Sequence, residues 1–248
     1  MEHHSAGGSV SVRAILFDIG DTLFRLNPME PVHAEVAESL TRLAGISPEA
    51  AAEAATSAIQ SHHEEAIAAW EEGLTAEPPL DAVLFRHFEP HVRLTPMAAE
   101  ALAEIFWRAD IARFEAGPDC ASRVAAFRKA GYRLAVVSNT STRSSLLDGY
   151  LTSAGLLPLF ETAVYSTDLG VRKPHPEIYR EALRRLDLRP EDVLFVGDRV
   201  REDVRGPQSV GIRAVLSHEF RQEDPGESRP LAIVQRLDEL QRVIDSCS

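Results

Sequence analysis

Two carboxylates about 180 residues apart, a serine and one of only two lysines stand where they could act together. Asp18 follows the apolar run Ala14–Phe17 and opens the polar turn Ile19-Gly20-Asp21-Thr22. Ser138 and Asn139 close the run Arg133–Val137, Lys173 lies in the loop after Ala163–Tyr165, and Asp198 follows Val193–Val196 and Gly197. Short continuous apolar runs of this kind predict strands buried on both faces. A parallel sheet aligns its strand ends along one rim, where open α/β folds bind ligands. One nucleophilic carboxylate, one hydroxyl, one ammonium and a second carboxylate on that rim suit a phosphoryl group with a divalent cation. Carboxylates and waters hold Mg2+, and Lys and Ser take the remaining phosphate oxygens. The cations sharpen the point, because 24 are arginine and two, Lys129 and Lys173, are lysine.

The elements that must position these groups alternate from Gly117 onward. A helix from the Asp119 cap to the Gly131 stop precedes the strand Arg133–Val137. The helix Thr142–Ala154, the strand Ala163–Tyr165 and the amphipathic helix Glu177–Leu186 follow. The strands Val193–Val196 and Ile212–Leu216 come next, and a helix over Leu231–Ile244 closes the chain. This alternation predicts a Rossmann-like, doubly wound parallel sheet of the α/β class. Residues 24–116 break the pattern. Alanine- and glutamate-rich stretches at Ala34–Ala44, Pro48–Trp70 and Pro96–Phe114, punctuated by Pro78-Pro79 and Pro90, predict an inserted all-helical domain. The α/β core then comprises residues 13–23 and 117–248, with 1–12 a flexible tail and His218–Arg229 a mobile charged loop.

A formal charge of −12 argues against nucleic acid or an anionic membrane surface as partner. No apolar run reaches the length of a membrane span, and the N-terminal residues carry no basic-plus-apolar signal region. Cys120 and Cys247 form no CxxC, so a cytoplasmic protein with free thiols is expected. His62-His63-Glu64-Glu65 is read as a solvated face, since consecutive helical residues point apart. His175, beside Lys173, is read as a helix cap.

Four stretches, FDIGDTL, VVSNTS, VRKPHPEIY and FVGDRVREDV, together resemble the four ordered motifs of the haloacid dehalogenase superfamily of hydrolases. The likeness covers the core, and residues 24–116 stand where that family inserts a helical cap of the first type. The resemblance implies a phosphatase acting on a small phosphorylated metabolite. Asp18 would attack phosphorus and form an aspartyl-phosphate. Asp18, Asp198 and the Gly20 carbonyl would bind Mg2+, with Asp203 supporting the ion and Glu202 its competitor for that role. Ser138, Lys173 and Asn139 would hold the phosphoryl group. Thr22 stiffens the first-motif turn and is the remaining candidate substrate contact.

One departure bears on the chemistry. The family's phosphatases usually carry a second Asp two residues after the nucleophile, followed by Gly; here Gly20 and Asp21 are inverted. A positioned general acid is worth ~10²–10⁴ in rate. Asp21, a histidine of the insertion (His33, His62, His63, His87 or His91) or the substrate itself could supply the proton. The alternatives are a metal-independent 2-haloacid dehalogenase, for which Asp198 and Asp203 have no use and whose substrate an anionic pocket would repel, and a catalytically weak binding module.

Overall fold

The computed structural model describes residues 12–77, 80–117 and 119–246; most of the expected tail, Pro78-Pro79, Pro118 and Cys247 lie outside them. The chain runs through β1 (Ala14–Phe17) and a short β2 (Phe24–Leu26) into four helices: α1 (Glu30–Ala44), α2 (Pro48–Glu71), α3 (Leu80–Phe88) and α4 (Pro96–Ala112). After β3 (Phe114–Ala116) come α5 (Cys120–Lys129), β4 (Arg133–Ser138), α6 (Ser144–Ser153), β5 (Thr162–Tyr165), α7 (Ser166–Leu169) and α8 (Pro176–Leu186). The chain closes with β6 (Val193–Gly197), α9 (Gly206–Gln208), β7 (Arg213–Ser217), β8 (Ala232–Val234) and α10 (Leu240–Asp245).

Six strands form one sheet in the order β5-β4-β1-β6-β7-β8, every pair parallel. The fully buried Ala14, Ile15, Leu16 and Phe17 put β1 at the centre, because such a run is accommodated only where both sheet faces are covered. Ile15 and Phe17 pack with Val124, Phe127 and Leu147 on one face. Ala14 and Leu16 pack with Ile178, Tyr179 and Phe195 on the other.

The four inserted helices have a core of their own. Val36 and Leu40 of α1 meet Ala51, Ala54, Ala55 and Ala58 of α2, and Phe88, Leu102 and Phe106 complete the cluster. Alanine along α2 lets the helices approach closely, which explains the composition of this segment. Among the described residues no helix is long and apolar enough to cross a membrane.

Three features differ from the sequence reading. Phe24–Leu26 and Phe114–Ala116 pair as an antiparallel ribbon where the helices enter and leave, held to the sheet domain by Tyr150, whose hydroxyl donates to Phe114 O at 2.6 Å. The Leu231–Ile244 helix is instead the edge strand β8 followed by the short α10. Leu231, Val234, Leu237, Leu240 and Ile244 imitate a helical period, but the Ala232–Val234 run pairs with β7. Asp119 stands at the N-cap of α5 without accepting a side-chain capping bond, whereas His175 Nδ1 does accept from Glu177 N.

Packing around α9 yields a test. A methyl group on Gly206 would overlap the hydroxyl of the buried Tyr179, which donates to Glu202 O. Gly206→Ala is expected to destabilise the protein by about 1–3 kcal/mol. Gly149→Ala in α6, where a methyl meets nothing within 4 Å, should be neutral or stabilising by up to about 1 kcal/mol. Scanning calorimetry of the two variants checks the pair.

Candidate active site

Asp18 leaves the C-terminal end of β1 with its N–H donating to Val196 O at 2.9 Å. Strand register therefore carries it to the end of β6, where Gly197 leads into Asp198. A six-residue π-helical turn, Val200–Arg205, follows and turns Asp203 back under the same rim. Gly197 makes room for this, since a Cβ there would run into the Asp203 side chain. Asp18, Asp198 and Asp203 each offer an oxygen within 4.8 Å of the others, and all three are buried.

Lys173 Nζ donates to Asp18 Oδ1 at 2.6 Å and to Asp203 Oδ1 at 2.7 Å. Ser138 Oγ lies 3.4 Å from the same Asp18 oxygen. Asn139 brackets the Lys173 backbone, accepting from its N–H at 2.7 Å and donating to its carbonyl at 3.1 Å. The second carboxylate oxygen of Asp203 accepts from Arg199 N at 3.0 Å, so both its oxygens are engaged from behind. Glu202 is buried and lines the cavity but is not in the carboxylate cluster.

One ammonium does not balance three buried carboxylates. Burial, with Asp203 and Asp18 alongside, pushes the Asp198 carboxyl up to about 8 despite Arg199 and Arg221. Burial likewise pushes Asp203 up to about 6, against the pull of Lys173. Burial alone would lower the Lys173 pKa, but Asp18 and Asp203 outweigh it and hold the ammonium above its ordinary range. Hard oxygen donors, close together and short of positive charge, fit a divalent cation such as Mg2+.

A cavity of about 510 Å³ opens over this cluster. Gly20 and Asp21 line it, but Asp21 sits at φ 52° and its Oδ1 accepts from Leu26 N at 3.1 Å, so the carboxylate closes the turn. Thr22, expected as a substrate contact, is fully buried with Oγ1 3.5 Å from Asp198 Oδ1; it braces that carboxylate from beneath the turn. A second space of about 210 Å³, also touching Gly20, Ser138 and Asn139, reaches the Asp110–Arg113 pair (2.6 Å). His33 and His62 line a further cavity among the helices, which shares Asp110, Arg113 and Ser141 with that space, and His87 pairs with Glu65 at 2.8 Å.

Arg221 was not anticipated. It comes from the 218–229 stretch expected as a loose loop, yet its Nη1 lies 3.3 Å from Asp198 Oδ2 and 2.6 Å from Glu223 Oε2. With Arg172 and Arg199 it brings the cavity lining to four cations against five carboxylates, so the expected strongly anionic pocket is close to balanced. No local motif marks Arg221 in an arginine-rich sequence; only the loop path between β7 and β8 delivers it.

Residues 12–211 match the family model for haloacid dehalogenase-like hydrolases. The chain is 32% identical over 231 residues to the phosphoserine phosphatase of Thermus thermophilus, covering 89% of this chain and 88% of that protein. Among solved structures, the HAD phosphatase from Thermococcus onnurineus superposes with a TM-score of 0.64 at 26% identity, over 94% of this chain and 98% of that one. The 2-haloacid dehalogenase from Pseudomonas syringae pv. Tomato DC3000 gives 0.71 at 21% identity, over 96% and 100%, a likeness of fold.

The charge imbalance has a measurable consequence. Replacing one of three buried, mutually crowded carboxylates by its neutral isostere removes repulsion and desolvation cost, so Asp198→Asn should stabilise the metal-free protein by about 1–4 kcal/mol. Urea denaturation in the presence of a chelator measures it.

Proposed function

This chain belongs to the haloacid dehalogenase-like hydrolases, and from that membership we propose that it is a phosphatase. It hydrolyses a small phosphorylated metabolite through an aspartyl-phosphate at Asp18. The observation that carries the reading is the meeting of Asp18, Lys173 and Asp203 at 2.6 and 2.7 Å beside Asp198. The phosphatase activities named for the Thermus and Thermococcus relatives support it.

Asp18 attacks phosphorus as the ester oxygen departs, and water then attacks the phosphorus of the acyl phosphate, releasing phosphate and restoring the carboxylate. Lys173 pairs with Asp18 and offers its ammonium to the transferring group, and Ser138 and Asn139 lie alongside. Asp18, Asp198 and the Gly20 carbonyl would hold Mg2+, with Asp203 behind them. The ion would supply charge neutralisation for the phosphoryl oxygens. The leaving group extends past Gly20 into the space that reaches Asp110 and Arg113. A metal-independent dehalogenase has no use for the third buried carboxylate. The near-balanced lining, however, removes net charge as an argument against a haloacid.

Turnover of an aryl phosphate should require Mg2+ and fall by about 10³-fold or more in Asp18→Asn, the scale on which losing a nucleophile acts. An enzyme indifferent to chelator that releases chloride from a 2-haloacid would replace this reading. Gly20→Asp restores the acid the turn lacks. Its Cβ would lie 3.1 Å from Leu26 Cδ1, a side-chain end able to rotate away. Alkyl phosphate turnover should then rise about tenfold or more, within the ~10²–10⁴ available to a positioned acid, while aryl phosphates, with better leaving groups, gain less. Steady-state kinetics on both substrates decide it.

A further inference from the structure

The helical insertion touches the sheet domain far from its two connecting strands. Past the end of α2, Ala76 pairs antiparallel with Val171. Glu77 N donates to Gly170 O at 3.0 Å, and Arg172 N donates to Thr75 O at 2.8 Å. The Glu77 side chain, 5% exposed, reaches two loops at once. Its Oε2 accepts from Ser166 Oγ at 2.7 Å and lies 3.4 Å from Arg172 Nε. Ser166 Oγ in turn accepts from Thr140 N at 2.8 Å. One carboxylate of the insertion thus ties together the loop carrying Ser138 and Asn139 and the loop carrying Lys173.

We infer that Glu77 is a positioning residue of the reaction: docking of residues 75–77 aligns both phosphoryl-binding loops, so the site is complete only while the helical domain is seated. Lys173 is the second residue beyond the bridge at Val171, and Asn139 directly precedes Thr140, so a small slip at the contact reaches the groups around Asp18. Burial pushes the Glu77 carboxyl above its ordinary range, against Arg172 and Ser166. A carboxylate kept there at that cost, where a neutral side chain would pack, is consistent with alignment rather than stability as its use.

The kinetic part of the test rests on the phosphatase reading; the exchange part does not. Glu77→Ala should lower kcat on an aryl phosphate about ten- to a hundredfold, the effect of a ~1 Å misplacement, with KM changing much less. Amide hydrogen exchange should speed up about tenfold or more in 138–140 and 166–173, as expected when a local contact is released. Glu77→Gln keeps an acceptor for Ser166 and should recover part of kcat, which also covers the case where Ala impairs folding. The Ala76/Val171 pair is of the non-hydrogen-bonded type, about 4.5 Å between Cα atoms and within disulfide range. Ala76→Cys with Val171→Cys in the Glu77→Ala background should, when oxidised, restore the single-turnover rate, and lose it again on reduction. Wild-type kcat and exchange in Glu77→Ala would overturn the inference, as would a fall in kcat without faster exchange or a cross-link that restores nothing. A wild-type protein inert towards phosphate esters with Mg2+ would sink the phosphatase reading and leave the exchange data to decide the coupling.

Discussion

Three carboxylates meet in a buried space with a single ammonium between two of them, and this imbalance governs the rest of the molecule. Isolated buried charges are costly unless paired and hydrogen-bonded. Here Lys173 pairs with both Asp18 and Asp203, while Asp198 keeps a carboxyl pushed up to about 8, leaning on Thr22 and a part-exposed Arg221. Such a cluster does not stabilise a fold. It persists because the surrounding sheet is stable enough to carry it, and its deficit of positive charge is the property a cation can use.

The architecture answers that constraint through chain direction. A parallel sheet brings residues 18, 138 and 198 to one edge, and fully buried β1 fixes their registers from both sides. Gly197 lets Asp203 approach from below. Gly20 lines both the space over the carboxylate cluster and the smaller space that reaches Asp110 and Arg113.

Much of this was legible in the sequence because it follows from local rules. A four-residue apolar run ending in Asp announces both a central strand and a rim carboxylate, and four such endings suffice to place Asp18, Ser138, Lys173 and Asp198 together. What was not legible depends on paths through space. β8 hid behind a leucine spacing that suits a helix equally well. The β2–β3 ribbon is three residues long on each side, too short to show a period. Arg221 and Glu77 act on groups 23 and 89 residues away, across loops whose course no local pattern encodes. Thr22 had the right neighbourhood and the wrong direction: its hydroxyl faces Asp198 from inside the turn instead of the cavity.

The identity of Lys173 is the last consequence of the same electrostatics. A chain that uses arginine almost everywhere keeps lysine here, and the geometry supplies a reason. The ammonium must serve one oxygen from each of two separate carboxylates, at 2.6 and 2.7 Å, within a space where it is 2% exposed. A compact charge with three rotatable donors can satisfy both and retain a third donor for a phosphoryl oxygen. A guanidinium is larger, and its planar fork matches the two oxygens of a single carboxylate, so it would pair with one acid and press against the other. Phe195, whose ring centroid lies 5.3 Å from Nζ, flanks the ammonium. The lysine is thus set by the spacing of the carboxylates it joins, and that spacing is set in turn by the register of β1 against β6.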